Sequence, residues 1–138
     1  MRILGLDVGD KRIGVAISDP DNILATPLTT ITNDDNTRAI DRILDIVKEY
    51  SIKQIIVGLP YSLNGSVGIQ AEKTKAFIEG LSNRTEAVIH YRDERLSTVA
   101  AERMLREAGV KKEKIKERRD AAAAAYVLQG YIDNLERE

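Results

Sequence analysis

The chain has 138 residues, with 22 acidic against 21 basic side chains and a formal net charge of -1; this near balance excludes wholesale electrostatic adhesion to a polyanion or a membrane. It has no cysteine and one histidine, which removes disulfides, thiolate metal centres and His-rich zinc chemistry, so any metal must be held by oxygen. No apolar run approaches the roughly 18 residues of a membrane span, and the first apolar stretch breaks at Asp7 without forming a signal-peptide core. The expectation is a cytoplasmic protein that makes no use of a membrane, folded as one domain over residues 1–138.

From the N-terminus, Ile3-Leu4-Gly5-Leu6-Asp7-Val8 runs into Gly9-Asp10 and resumes as Ile13-Gly14-Val15-Ala16, the pattern of a tight β-hairpin with an acid on its first strand. Residues 2–8, about 13–18 and about 25–32 predict three strands of an antiparallel meander, the second turn being Asp19-Pro20-Asp21-Asn22. Ile40, Ile43, Leu44 and Val47 recur at helical spacing between about Asp34 and Tyr50, and Gln54 to Val57 is a short buried strand ending at Gly58-Leu59-Pro60. Thr74, Phe77, Ile78 and Leu81 mark a second helix, Ala87 to Tyr91 a fifth strand, and Val99 to Ala108 a third helix with Ser97 as N-cap and Gly109 as its stop. The last helix is expected from about Asp120 to Leu135, with Ala121, Ala124, Ala125, Leu128, Ile132 and Leu135 on one face. Before it, Lys111 to Arg119 reads as a basic loop, six basic residues against two acidic. The order predicts an α/β fold: a mixed five-stranded sheet, the meander plus two parallel strands, flanked by helices.

Asp7 interrupts an apolar strand, and an acid there costs burial free energy unless something pairs with it. Together with Glu94 and Asp120 it forms a set of hard oxygen donors suited to Mg²⁺ or Mn²⁺ and to two-metal phosphodiester hydrolysis. Each acid has a plainer reading: Asp7 as a turn former, Glu94 as one solvated charge in Arg92-Asp93-Glu94-Arg95, and Asp120 as a helix cap at the positive end of the dipole. On chemistry alone Asp93 is as good a ligand as Glu94. His90 alternates with Ile89 and Tyr91 and reads as structural or surface. A nucleotide-binding alternative lacks a Walker A loop, since Val15-Ala16 follow Gly14 where Lys-Ser or Lys-Thr would be needed.

Asp7-Val8-Gly9-Asp10-Lys11-Arg12-Ile13-Gly14-Val15-Ala16, Val57-Gly58-Leu59-Pro60, Asp93-Glu94-Arg95-Leu96-Ser97-Thr98 and Asp120 before the alanine run together resemble the bacterial YqgF, or RuvX-like, family of RNase H-fold nucleases. The four motifs stand in family order across nearly the whole chain. The resemblance implies the RNase H-like fold and carries the family's acidic positions onto Asp7, Glu94 and Asp120. It also implies a hydrolase acting on nucleic acid, either in maturing the 5′ end of precursor 16S rRNA during ribosome biogenesis or in resolving Holliday junctions. A non-catalytic nucleic-acid-binding assembly module is the remaining alternative, and the state is monomer or homodimer. One position departs from the family pattern: Arg119 stands before the last acid where many relatives carry a hydrophobic residue. Phosphate contacts are expected from Lys11, Arg12, Arg95, Lys111, Lys112, Arg118 and Arg119. The loop Pro60 to Ser66 is expected to line the cleft, with Tyr61 as a stacking face and Asn64 in its turn.

Overall fold

The computed structural model describes residues 1–59, 68–93 and 97–135. Among these the elements run β1 (Ile3–Val8), β2 (Arg12–Ser18), β3 (Ala25–Thr32), α1 (Asn36–Glu49), β4 (Gln54–Leu59), α2 (Ile69–Ser82), β5 (Val88–Asp93), α3 (Ser97–Glu107) and α4 (Lys112–Leu135). The strands form one mixed sheet in the order β3-β2-β1-β4-β5. β1/β2 and β2/β3 are antiparallel, whereas β1/β4 and β4/β5 are parallel. The predicted fold class and element order therefore match the structure.

Alternation along the strands divides the sheet into two buried faces. Leu4, Leu6, Val8, Ile13, Val15, Ile17, Ile55 and Val57 pack against Ile40 and Ile43 of α1 and Phe77, Ile78 and Leu81 of α2. On the opposite face Ile3, Ala16 and Ile56 meet Ala124, Ala125, Val127, Leu128 and Ile132 of α4. A third cluster joins Ala101 of α3 to Ala122 and Ala123 of α4. The alanine run thus serves two partners, with every member of Ala121 to Ala125 buried, while Leu135, expected on the buried face, is 40% exposed.

The caps follow local chemistry. Asp35 accepts from the backbone N–H groups of Thr37 and Arg38 at the start of α1. Gly109, at φ +81°, ends α3: its N–H donates to Arg106 O, and that of Val110 to Leu105 O, the paired bonds of a Schellman turn. At the second hairpin turn Asp19 accepts from Ile23 and Leu24 N–H, with Asn22 left-handed at φ 55°. Pro27 is accommodated because β3 is an edge strand, beside a register shift between Val15 and Ala16.

A second expectation fails. Lys111 to Arg119 is not an interhelical loop, because α4 begins at Lys112, and Asp120 lies well inside the helix instead of capping it. Lys, Glu and Arg are strong helix formers, and no glycine or proline interrupts the chain between Gly109 and Gly130. The charge that suggested a loop is compatible with two turns of helix.

Candidate active site at the carboxyl edge of the sheet

Asp7 stands near the C-terminal end of β1, on the face that α4 covers. Its register partners are Gly14 on β2 and Gly58 on β4, so the residue on either side, about 4.8 Å away, carries no side chain. The row continues to Thr30 on β3 and Arg92 on β5. Gly14 is where α4 touches down: a Cβ there would lie 1.9 Å from the backbone oxygen of Asp120 and 2.7 Å from Ala121 N. The same helix lies on Gly5, where a Cβ would meet Leu128 Cβ at 2.9 Å and Ala124 O at 3.0 Å. Two glycines thus let α4 lie directly on the central hairpin, and the first of them sets Asp120 above the strand position next to Asp7.

The Asp120 carboxylate accepts from Arg12 Nε at 2.7 Å. With side-chain exposures of 43% for Arg12 and 19% for Asp120, this ion pair contributes at most about 1 kcal/mol to stability. Its larger effect is to aim Asp120 Oδ2 toward the hairpin. Arg12 is therefore engaged with a site acid, a partnership that sequence reasoning missed because the two residues lie at opposite ends of the chain. Lys11 is exposed in the hairpin turn.

The basic turns of α4 do not form one patch. Lys112 and Arg119 line a groove with Glu102, Arg106 and Val110 of the α3 corner, and Arg119 pairs with Glu102 at 3.3 Å. This ion pair with α3 accounts for an arginine immediately before Asp120. Arg118 lies in a different groove, against Leu28, Thr29 and Thr30 of β3. Lys111 and Lys112 are exposed. Glu94, Arg95, Tyr61 and Asn64 lie outside the described residues. His90 is exposed and stacks on Tyr131, with ring centroids 5.9 Å apart.

Arg92 was also missed as a site neighbour. Its guanidinium crosses Gly130 of α4, where a Cβ would sit 3.0 Å from Nε, and the Asn134 amide, turned to present Oδ1, accepts from Nη1 at 2.9 Å. Strand alternation alone places Arg92 on the α4 face; its partners could be found only in three dimensions.

Among the described residues no group of three His, Asp or Glu side chains forms a metal cage. The donor chemistry at Asp7 and Asp120 nonetheless fits a hard divalent ion: both groups are carboxylates on one face, there is no thiolate ligand in a cysteine-free chain, and Asp120 already attracts a cationic group in Arg12.

A family model described as "RuvX: Holliday junction resolvase" matches residues 1–134. The "Putative pre-16S rRNA nuclease" of Desulforamulus reducens is 50% identical over 134 residues, covering 97% of this chain and 98% of its own. Its namesake from Clostridium novyi is 47% identical over 135 residues, covering 98% and 100%. Among solved structures, RuvC of T. thermophilus in complex with Holliday junction substrate superposes with a TM-score of 0.63 at 12% identity, covering 99% of this chain and 96% of that one. The Fowlpox virus resolvase with its substrate Holliday junction DNA gives 0.59 at 16% identity, covering 98% and 99%. At such identities the likeness is one of fold, the RNase H-like arrangement expected from the sequence.

Proposed function

The chain belongs to the RuvX family, and from that premise we propose that it is a metal-dependent nuclease that hydrolyses phosphodiester bonds in the 5′ region of precursor 16S rRNA. The observation that supports the reading is the seating of the Asp120 backbone on the side-chain-free Gly14, the strand neighbour of Asp7, which brings residues from the two ends of the chain to one part of the sheet. The RNA substrate is supported by the name shared by the relatives from D. reducens and C. novyi. Holliday junction resolution is the second reading, favoured by the family's description.

Asp7, Asp120 and Glu94, the residue that follows β5, would hold Mg²⁺ or Mn²⁺, which when bound supplies water activation and charge neutralisation at the phosphate. The chain's own groups do the rest. Arg12 orients Asp120 and offsets its charge. Lys11, Arg95, Lys111, Lys112, Arg118 and Arg119 draw in the phosphate backbone, and Tyr61 and Asn64 are further candidates for substrate contact. Among the described residues no helix is long and apolar enough to cross a membrane, which is compatible with a cytoplasmic protein acting on ribosomal precursors as a monomer or homodimer.

The test is cleavage of precursor 16S rRNA and of a four-way DNA junction by purified protein with Mg²⁺ or Mn²⁺. Asp7→Asn, Glu94→Gln and Asp120→Asn are each expected to lose at least about a hundredfold in rate while keeping the parent's circular dichroism. Cutting at the parental rate by all three variants would refute the reading. Cutting of the junction alone would transfer it to the second substrate.

A further inference from the structure

The corner where α3 turns into α4 opens a groove of about 690 Å³, lined by Glu102 and Arg106 of α3, Val110 of the turn, and Lys112, Ile115 and Arg119 of α4. Of these side chains three are cationic and one is acidic, in a chain whose formal net charge is -1. The one acid is engaged by both arginines: Glu102 Oε1 accepts from Arg119 Nη1 at 3.3 Å, and Oε2 lies 3.6 Å from Arg106 Nη2. A single carboxylate thus bridges guanidinium groups from two helices. Arg106 still keeps 69% of its side chain exposed, and Lys112 is exposed, so both retain donors for a ligand. Lys112 also stands in the first turn of α4, at the positive end of the helix dipole, where a cation costs about 0.3–1 kcal/mol. Its charge does not serve the helix. Val110 and Ile115, both half-buried, add an apolar part to the wall.

We propose that this groove holds the sugar-phosphate backbone of the substrate strand beside the cutting site, with Arg106 and Lys112 on its phosphates. The inference rests on the nuclease reading and deepens it, by adding Arg106 and by fixing where the flanking strand runs. Cations opposed by one carboxylate that is already paired favour a polyanion, and the positive end of α4 adds to that field. Guanidinium and ammonium groups next to apolar surface match a backbone in which phosphate alternates with ribose. The position matches as well. Arg119 immediately precedes Asp120, and Lys112 stands eight residues before it, about 12 Å back along the helix axis, a span of a few nucleotides. A strand cut beside Asp120 reaches the groove by following α4 back toward its N-terminus. Arg118 faces β3 instead and is not part of this track.

The experiment is fluorescence anisotropy with a labelled single-stranded RNA from the 5′ region of precursor 16S rRNA, held uncut by Asp7→Asn, over a range of KCl concentrations. In that background Arg106→Gln combined with Lys112→Gln is expected to weaken binding about tenfold at about 0.1 M salt. The slope of log K against log salt should fall by about 1.4, the release expected from two phosphate contacts. The melting temperature should be unchanged, because both side chains are exposed. Glu102→Gln keeps the shape and removes the opposing charge, and should strengthen binding about threefold. Lys48→Gln with Lys53→Gln is the control: these exposed cations line a groove at the opposite, amino end of the parallel strands, and their loss should leave the slope as it was. If the parent cuts only the four-way junction, that DNA takes the place of the RNA and the expected fall in slope is about 1.8. An unchanged slope in the Arg106 and Lys112 variant, an equal loss in the control, or weaker binding by Glu102→Gln would overturn the groove while leaving the nuclease reading, which is judged on cleavage by the parent. No binding and no cleavage by the parent would overturn both.

Discussion

Gly14 is the residue on which the site's geometry turns. A methyl group there would sit 1.9 Å from a backbone oxygen of α4, and backbone cannot swing aside as the end of a flexible side chain can. Gly14→Ala is therefore expected to destabilise the protein by about 1–3 kcal/mol and to displace Asp120 from Asp7. Urea denaturation and cleavage rate measured together would check this: loss of activity exceeding the unfolded fraction is the expected signature. A second prediction concerns Asp19, whose carboxyl is held below its ordinary 3.8 first by the Ile23 N–H and further by that of Leu24, against a smaller opposing effect of desolvation. A depressed folded-state value means that its stabilisation is present above the unfolded value and is lost as pH falls through the folded one. Asp19→Ala should lower the melting temperature by a constant amount near neutral pH. That difference should shrink below pH 3.8, as the parent's own carboxyl protonates; a gap unchanged to the lowest pH would show that the turn does not depend on the charge.

At the scale of elements, α4 does the most varied work. Its first turns are basic, its middle is small enough to lie on Gly14 and Gly5, and its later turns bury Leu128 and Ile132 against the sheet. Ala124 is fully buried with its carbonyl over Gly5, so Ala124→Leu has nowhere to place three more carbons. It is expected to cost about 1–3 kcal/mol and to lift the helix from the hairpin. Thermal melts and residual cleavage would show whether the two effects travel together. The basic segment illustrates why this helix was only half legible. Periodicity of apolar residues reveals a helix that buries a face, and Lys112 to Arg119 offers only Ile115 to such a test. Propensity would have extended the helix to Lys112; patterning alone could not.

At the scale of the whole molecule, the parallel pairing of β1 with β4 and β4 with β5 brings their carboxyl ends to one edge, while α4 returns from the end of the chain to the same place. If that edge holds the proposed metal site, a cation that binds the folded state alone stabilises it by mass action. Millimolar Mg²⁺ or Mn²⁺ is expected to raise the melting temperature of the parent by a few degrees and to leave Asp7→Asn unmoved. An equal shift in both proteins would place the bound ion elsewhere.

The sequence by itself determined the element order, the fold class and the three acids worth testing, because strand alternation, helical spacing and turn chemistry are local properties written within a few residues of one another. Asp7 stood out for a local reason as well, an acid inside an apolar strand. Tertiary structure decided what surrounds those groups: Asp120 above Gly14, Arg12 on Asp120 and Arg92 across Gly130. Each depends on which surfaces meet when α2 and α4 close over the two faces of the sheet. Sequence spacing carries no record of such contacts, since burial of the core, a collective term, sets those distances.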